Sequence, residues 1–344
     1  MRRKWKLGAA VGALLVALSA CSPKSTDQTG GAASGAGGGE IKIGLVAKSL
    51  GNGFFDAVKK GGEEAAGELG HVQVVFTGPT TPTAEGQIEV LNALIAQHVS
   101  AIAVSANDPD ALVPTLKRAQ QRGIKVISYD SAVAPEGRSV HLAPSSDELI
   151  GEACMQLAAA AAPGGKGKVA IVSATPTSTN QNAWIAAMKK AAPGFAGLEI
   201  VDTVYGDDLS DKSYRETVAL LKRYPDLAVI VAPTSVGIVA AAKAVEDQGM
   251  SGKVFVTGLG LPSELAGHVK SGTVKSFAIW NPIDLGYSAV QIAAHLARGE
   301  NVGPDTKLSV GRMGEVSFGA DGTGPMSKPF TYDASNVDQF AKIF

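Results

Sequence analysis

The chain has 344 residues, of which 45% are hydrophobic and 18% are charged, and its formal net charge is −1. This length and composition are typical of a globular protein with about two domains. Because a near-neutral chain offers no basic surface to a phosphate backbone, the composition argues against a nucleic-acid partner.

The first residues have the features of an export signal. Positive residues at positions 2–6 precede an apolar run over 7–20, which is shorter than the ~20 residues of a membrane-spanning helix. The run ends in Leu-Ser-Ala-Cys21, which resembles a bacterial lipoprotein signal. We therefore predict a signal peptide over 1–20 and a lipid-modified Cys21; the alternative is an ordinary secretory signal. Several acyl chains on one residue make a stable membrane anchor. Together with the export signal, this predicts an extracytoplasmic location, at the cell surface or in the periplasm.

Residues 21–39 are rich in Ser, Thr, Gly and Ala and show no periodic apolar pattern, which predicts a flexible tether. The second cysteine, Cys154, lies in a helical pattern and is predicted to be a small core residue. No disulfide is expected, because an acylated Cys21 leaves Cys154 without a partner.

From Ile41 onward, short β-branched runs alternate with amphipathic helical patterns. The predicted strands are 41–46, 72–76, 101–105, 125–129, 168–173, 198–204, 228–231, 253–257 and 276–279. The predicted helices are 55–69, 85–97, 111–122, 148–161, 181–191, 213–224, 237–248 and 285–297. This alternation predicts an α/β protein with parallel sheets covered on both faces. The pattern repeats once, which favours two similar doubly wound lobes over one larger sheet.

Ligands of open parallel sheets bind beyond the carboxyl ends of the strands. The side chains that follow the predicted strands are amides, hydroxyls, charged groups and aromatics: Lys48, Asn52, Phe54, Phe55, Ser105, Asn107, Asp108, Asp130, Ser131, Thr179, Asn180, Gln181, Trp184, Pro233, Thr234, Ser235, Trp280 and Asn281. Sugars need this mixture, because hydroxyls require donors and acceptors while C–H faces pack on aromatic rings. Taken singly, each residue is equally well explained as a turn or helix cap, Asn107 and Asp108 among them.

Enzyme motifs are missing from the sequence. It contains no His-Glu-x-x-His, Gly-x-Ser-x-Gly, Cys-x-x-Cys or phosphate-loop pattern, and its 5 histidines lack metal-ligand spacing. The acidic pair Asp207-Asp208 is predicted to be a solvated helix cap. We therefore expect no catalytic residue, cofactor or metal.

Several longer segments carry a resemblance to a known family: KSLGNGFF, GPTTPTAEGQIEV, SANDPDAL, ISYDS, STNQNAW, YGDDLSDKSYRE and VTGLGLPS. From about Ile41 to the C-terminus the chain resembles the ribose-type periplasmic sugar-binding proteins of bacterial ABC importers, especially rhamnose-binding proteins and autoinducer-2 receptors. The resemblance implies the type I periplasmic binding protein fold, with lobe 1 over 40–143 and 282–311 and lobe 2 over 144–281 and 312–344. It implies crossovers near Ala143, Asn281 and Arg312, a monomer, and a permease and ATPase as partners.

The resemblance also implies a ligand-binding set. Autoinducer-2 receptors have the same residue types at Lys48, Asp130, Gln181 and Pro233, but aspartate and alanine where this chain has Asn180 and Ser235. Phe54, Phe55 and Trp280 complete the predicted set, with one phenylalanine stacking on the sugar and the other anchoring the first helix. Lys48 is expected to donate to sugar oxygens and Asp130 to accept from two hydroxyls.

An amide at Asn180 donates as well as accepts, which changes the favoured hydroxyl pattern. The sequence thus favours rhamnose or a similar deoxyhexose, with an autoinducer-2 receptor as the alternative. Ribose is disfavoured, because ribose-type relatives have an arginine near the position of Asn180.

Overall fold

The computed structural model describes residues 40–344, so the predicted signal peptide, Cys21 and the tether lie outside the described residues. The strands are β1 (Ile41–Val46), β2 (Val72–Thr77), β3 (Ala101–Val104), β4 (Lys125–Tyr129), β5 (His141–Ala143), β6 (Gly167–Ser173), β7 (Leu198–Tyr205), β8 (Leu227–Ala232), β9 (Phe255–Gly258), β10 (Ser276–Ile279), β11 (Lys307–Ser309), β12 (Glu315–Ser317), β13 (Thr323–Pro325) and β14 (Phe330–Asp333). The α-helices are α1 (Gly53–Leu69), α2 (Ala84–Ala96), α3 (Val113–Gln121), α4 (Asp147–Ala161), α5 (Thr179–Ala191), α6 (Ser210–Arg223), α7 (Ser235–Asp247), α8 (Pro262–Lys270), α9 (Pro282–Ala297) and α10 (Val337–Phe340).

Every predicted strand and helix is present, with ends shifted by a few residues. The elements that sequence patterns missed are short: α8, α10, β5 and the strands from β11 onward. Strands of three residues, such as β5, β11, β12 and β13, contain too few side chains to establish an alternating pattern.

The first lobe is built on a parallel sheet in the order β13-β5-β4-β3-β1-β2. Helices α1 and α9 pack on one face, and α2 and α3 pack on the other. Alternate residues of β3 divide between the two faces: Ala101 and Ala103 join the core under α1 and α9, while Ile102 and Val104 join the core under α2 and α3. The sheet is therefore buried on both sides, as its apolar strands predict.

Helices α1 and α9 approach closely through two glycines. A Cβ at Gly61 would overlap the backbone oxygen of Ile283, and a Cβ at Gly286 would overlap that of Val58. This contact fixes α1 against the first lobe, with Phe54 and Phe55 in its first turn.

The second lobe contains the parallel sheet β7-β6-β8-β9. Single bridges connect the β9 region to β10, and β14 runs antiparallel to β10. Cys154 is fully buried in α4, and burial raises the pKa of its thiol to about 12. At that pKa the thiol is an inert core group, consistent with its predicted role.

The chain crosses between the lobes after β5, between β10 and α9, and between β13 and β14. The third crossover differs from the one predicted near Arg312. Strand β13 is parallel to β5, with Thr323 opposite His141, so the chain stays with the first sheet as far as Pro325. Arg312 itself binds Glu64 of α1, with 2.6 Å between Nη2 and Oε2. The predicted α/β architecture of two parallel-sheet lobes joined by a three-stranded hinge is confirmed.

Within residues 40–344, no helix combines the length and apolarity needed to cross a membrane. In the same part of the chain, no cluster of His, Cys, Asp and Glu side chains is suited to hold a metal ion.

Candidate functional site

The carboxyl ends of the strands in the two lobes meet around a cavity. Its lining contains residues from both lobes: Lys48, Asn52, Phe54, Phe55, Asp130, Asn180, Gln181, Trp184, Asp208, Pro233, Thr234, Ser235, Leu259, Ile279 and Trp280. All nine residues of the predicted ligand set are among them. The structure thus brings together side chains that lie up to 232 positions apart in the sequence.

Asn180 of the second lobe joins two buried charges of the first. Lys48, which is 3% exposed, donates from Nζ to Oδ1 of Asn180 at 3.2 Å. Nδ2 of Asn180 donates to Oδ1 of Asp130 at 3.1 Å. In the described part of the chain neither Lys48 nor Asp130 forms an ion pair. Both charges are therefore held by neutral groups.

The Asp130 carboxylate is positioned by its own backbone, which has a φ of 57° at the end of β4. Its Oδ2 accepts from the Ser105 hydroxyl at 2.7 Å. Burial is the largest influence on this group and raises the pKa of Asp130, against the lowering effect of Lys48. The carboxylate is thus a strong acceptor that the protein itself satisfies only with neutral donors.

Gln181 offers its amide nitrogen to the cavity. Its Oε1 accepts from the Ser173 hydroxyl at 2.8 Å and from the Ala174 amide at 2.7 Å, which fixes the side chain to the end of β6. Among residues 40–344, Nε2 of Gln181 makes no hydrogen bond. The site therefore holds an oriented donor beside Asn180.

Aromatic rings form the apolar part of the lining. Phe54 meets Phe55 edge-to-face at 5.2 Å between centroids and meets Trp280 at 6.2 Å. Trp184 lies 5.5 Å from Trp280. The Asn52 side chain accepts from the Phe54 amide at 2.9 Å and caps α1. Both phenylalanines line the cavity, and the division of roles between them stays a prediction.

Pro233 and Ser235 lie on either side of Thr234, where β8 turns into α7. The Ser235 hydroxyl donates to Oδ1 of Asn52 at 3.4 Å. This is a further direct contact between the lobes, at the same cavity.

Sequence reasoning missed Asp208 as a cavity residue. The expected solvated cap is wrong, because Asp208 lines the cavity and accepts from the Thr234 hydroxyl at 2.5 Å. Positive φ angles at Asp207 and Asp208, 54° and 51°, turn the chain after β7. Two consecutive acidic residues directly after a strand were the available signal.

Gln87 was also missed. Its fully buried amide donates to the carbonyls of Ala47 at 3.0 Å and Ser105 at 2.7 Å, and accepts from the Asn107 amide at 2.8 Å. Asn107 in turn donates to the carbonyl of Lys48 at 2.9 Å. Gln87 therefore ties together the loops that carry Lys48 and Ser105. A glutamine within the apolar stripe of α2 was its sequence signal.

Asp108 has the turn role that the sequence left open, and it does not cap α3, which has no side-chain cap. Its Oδ1 accepts from the amides of Asp110 at 3.0 Å and Ala111 at 2.9 Å, ahead of α3. It is absent from the lining of the cavity.

Comparison with known proteins agrees with this geometry. The sequence profile of the periplasmic binding protein domain matches residues 43–301. A solute-binding protein of an ABC transporter from Clostridium phytofermentas, solved with bound L-rhamnose, is 36% identical, with a TM-score of 0.84 over 88% of this chain and 99% of that one.

Two further relatives are more distant. The D-ribose/D-allose-binding protein of Pseudomonas aeruginosa is 27% identical over 75% of this chain and 83% of its own length. LsrB from Clostridium saccharobutylicum, solved with AI-2, is 20% identical with a TM-score of 0.82 over 87% of this chain and 99% of that one, which shows a shared fold. The family match and the rhamnose-bound relative together place this chain in the periplasmic binding protein family, as its ribose-type resemblance predicted.

Proposed function

We propose that the chain is the solute-binding protein of an ABC importer and captures a monosaccharide, L-rhamnose or a similar deoxyhexose, between its two lobes. The observation that carries this proposal is the cavity itself. It places two unpaired buried charges, Lys48 and Asp130, beside a cluster of aromatic rings.

The polar part of the cavity suits sugar hydroxyls. Lys48 and the Gln181 amide donate, and Asp130 accepts from a pair of hydroxyls. Buried charges without an oppositely charged partner are costly, and hydrogen bonds to charged groups contribute about 1.5–3 kcal/mol each. A sugar that bridges Lys48 and Asp130 satisfies both charges at once.

Binding favours closure because each lobe supplies part of the contact set. A ligand held by Lys48 and Asp130 on one side and by Asn180 and Gln181 on the other stabilises the closed arrangement. The closed protein then docks as a monomer on the permease, which a separate ATPase drives. The bound sugar is released chemically unchanged.

A deoxyhexose fits the mixed lining, because its methyl group packs on the apolar part while its hydroxyls face the polar part. The L-rhamnose-bound relative at 36% identity supports this assignment. The second candidate, autoinducer-2 uptake, is supported by the shared residue types at Lys48, Asp130, Gln181 and Pro233 and is disfavoured by Asn180.

A thermal-shift panel of deoxyhexoses, hexoses, pentoses and autoinducer-2 tests the proposal. At ~100 times the dissociation constant a ligand stabilises the fold by ~2.7 kcal/mol. We expect the largest shift with L-rhamnose and recovery of the unaltered sugar after prolonged incubation. A larger shift with autoinducer-2 would favour the second candidate. No shift with any monosaccharide or with autoinducer-2, or a new product, would overturn both.

We also propose a lipid anchor at Cys21, which lies outside the described residues. Expression with a labelled fatty acid, followed by fractionation, should place the labelled protein in the membrane fraction. Cys21→Ala should abolish the label and the membrane association. Unchanged association of that variant would show that the anchor is elsewhere.

A further inference from the structure

Trp280 carries a buried donor without a partner. The residue is 3% exposed and lines the cavity, and within residues 40–344 its Nε1 has no hydrogen-bond acceptor. Buried polar groups in native proteins are almost always hydrogen-bonded, and an unmet donor is destabilising. The indole N–H of Trp280 therefore requires an explanation.

The neighbours of Trp280 in the cavity are apolar. Rings of Phe54 and Trp184 lie against it edge-to-face, and Leu259 and Ile279 complete this part of the lining. These side chains offer no oxygen acceptor to Nε1. An oxygen acceptor for Nε1 is therefore absent from residues 40–344, and a ligand in the cavity can supply one.

Trp184 provides the matched comparison. It lines the same cavity and is buried to the same extent, 3% exposed. Of the two indoles in the described part of the chain, only that of Trp280 has a fully buried nitrogen without a hydrogen-bond partner.

We propose that Nε1 of Trp280 donates to the ring oxygen of the bound sugar and thereby selects a pyranose whose methyl group lies in the aromatic part of the cavity. This inference rests on the proposed function. The ring oxygen is the sugar oxygen that carries no proton, so it accepts without needing an acceptor in return. In a 6-deoxyhexopyranose, the carbon that bears the methyl group is bonded to this oxygen. Oxygen and methyl therefore enter the apolar part together, while the hydroxyls face Asp130 and Lys48.

Nuclear magnetic resonance of the indole N–H groups tests the contact directly. The chain has three tryptophans, so Trp184→Phe and Trp280→Phe assign the two cavity signals. With L-rhamnose, the Trp280 proton should move downfield and exchange more slowly, while the Trp184 signal changes little. A Trp280 proton that stays upfield, as expected for an N–H resting on the π-face of Phe54 or Trp184, would overturn the inference.

A comparison of two ligands isolates the contribution of the sugar ring oxygen to binding. L-rhamnose is compared with its carbasugar, in which CH₂ replaces the ring oxygen, by calorimetry on the wild type and both variants. The wild type should prefer L-rhamnose about tenfold, Trp280→Phe should lose that preference, and Trp184→Phe should keep it.

The outcomes separate the two proposals. If Trp280→Phe still binds L-rhamnose more tightly than its carbasugar, the Trp280 contact is refuted and the proposed function stands. Failure of every monosaccharide to bind the wild type refutes the proposed function itself.

Discussion

The side-chain amide of Asn180 donates to the carboxylate of Asp130 across the cleft, with 3.1 Å between Nδ2 and Oδ1. The oxygen of the same amide accepts from Lys48. A group that presents an acceptor to the ammonium and a donor to the carboxylate matches both charges, which a carboxylate at this position would not do.

Asn180→Asp should weaken L-rhamnose binding about tenfold and increase the response to autoinducer-2. The new carboxylate loses the donor to Asp130 and repels it at close range. Calorimetry with both ligands measures the change in preference. Asn182→Asp is the control, because Asn182 follows on the same helix, donates to the Pro176 carbonyl and does not line the cavity. Unchanged binding of both ligands by Asn180→Asp would remove Asn180 from the contact set.

Asp130→Asn should stabilise the sugar-free protein at neutral pH while weakening sugar binding about 10–100-fold. Burial, the largest effect, raises the pKa of Asp130 above its ordinary 3.8, so the folded state holds this proton more tightly than the unfolded state. Stability from this group therefore falls as pH rises through the folded pKa. Asparagine also tolerates the positive φ of 57° at this position.

The pH dependence of binding supplies the check on Asp130. Wild-type affinity should fall on acidification toward the raised pKa, whereas the weaker affinity of Asp130→Asn should stay flat. Melting curves and calorimetry between neutral and mildly acidic pH measure both effects. If Asp130→Asn bound the sugar as tightly as the wild type, the role of the carboxylate would be refuted.

Gly53→Ala should hinder closure without harming the fold. A Cβ at Gly53 would lie 2.8 Å from Oε1 of Glu264 and 3.2 Å from Cδ1 of Leu261, both on the other side of the cleft. We expect sugar affinity to fall about fivefold, equivalent to ~1 kcal/mol of strain in the closed form, with an unchanged melting temperature. Calorimetry and small-angle scattering measure affinity and closure.

Gly67→Ala is the matched control on the same helix. Nothing lies within 4 Å of a Cβ at Gly67, so this substitution should stabilise the protein by about 0.5–1 kcal/mol and leave affinity unchanged. If Gly53→Ala behaved in the same way, the close approach at Gly53 would play no part in closure.

Gln87→Leu should destabilise the protein by about 2–4 kcal/mol, because it leaves the carbonyls of Ala47 and Ser105 and the amide of Asn107 unpaired in the core. Urea unfolding measures the loss. Exposed Gln97, at the end of the same helix, should tolerate leucine with little change. A stability loss as small as that of Gln97→Leu would mean that water or a local shift replaces the Gln87 bonds.

The carboxyl-end rule predicted a larger set of residues after the strands, and the family resemblance selected the ligand set from it. Lys48, Asp130 and Trp280, which follow three of these strands, line one cavity. Asp208 was missed because the positive φ angles of Asp207 and Asp208 turn the chain toward the cavity. A periodic pattern of apolar residues contains no information on backbone angles. The third crossover was misplaced for a related reason: β13 has three residues and exists through its pairing with β5.

The place of β13 in the first sheet has a consequence for how the protein is made. This edge strand is translated near the end of the chain, long after its neighbours in the sheet. Because such distant pairings form slowly, the amino-terminal half must wait for the last residues before its sheet is complete. A polypeptide that cannot complete its amino-terminal sheet early stays unfolded for longer, which suits passage through a narrow export channel before folding.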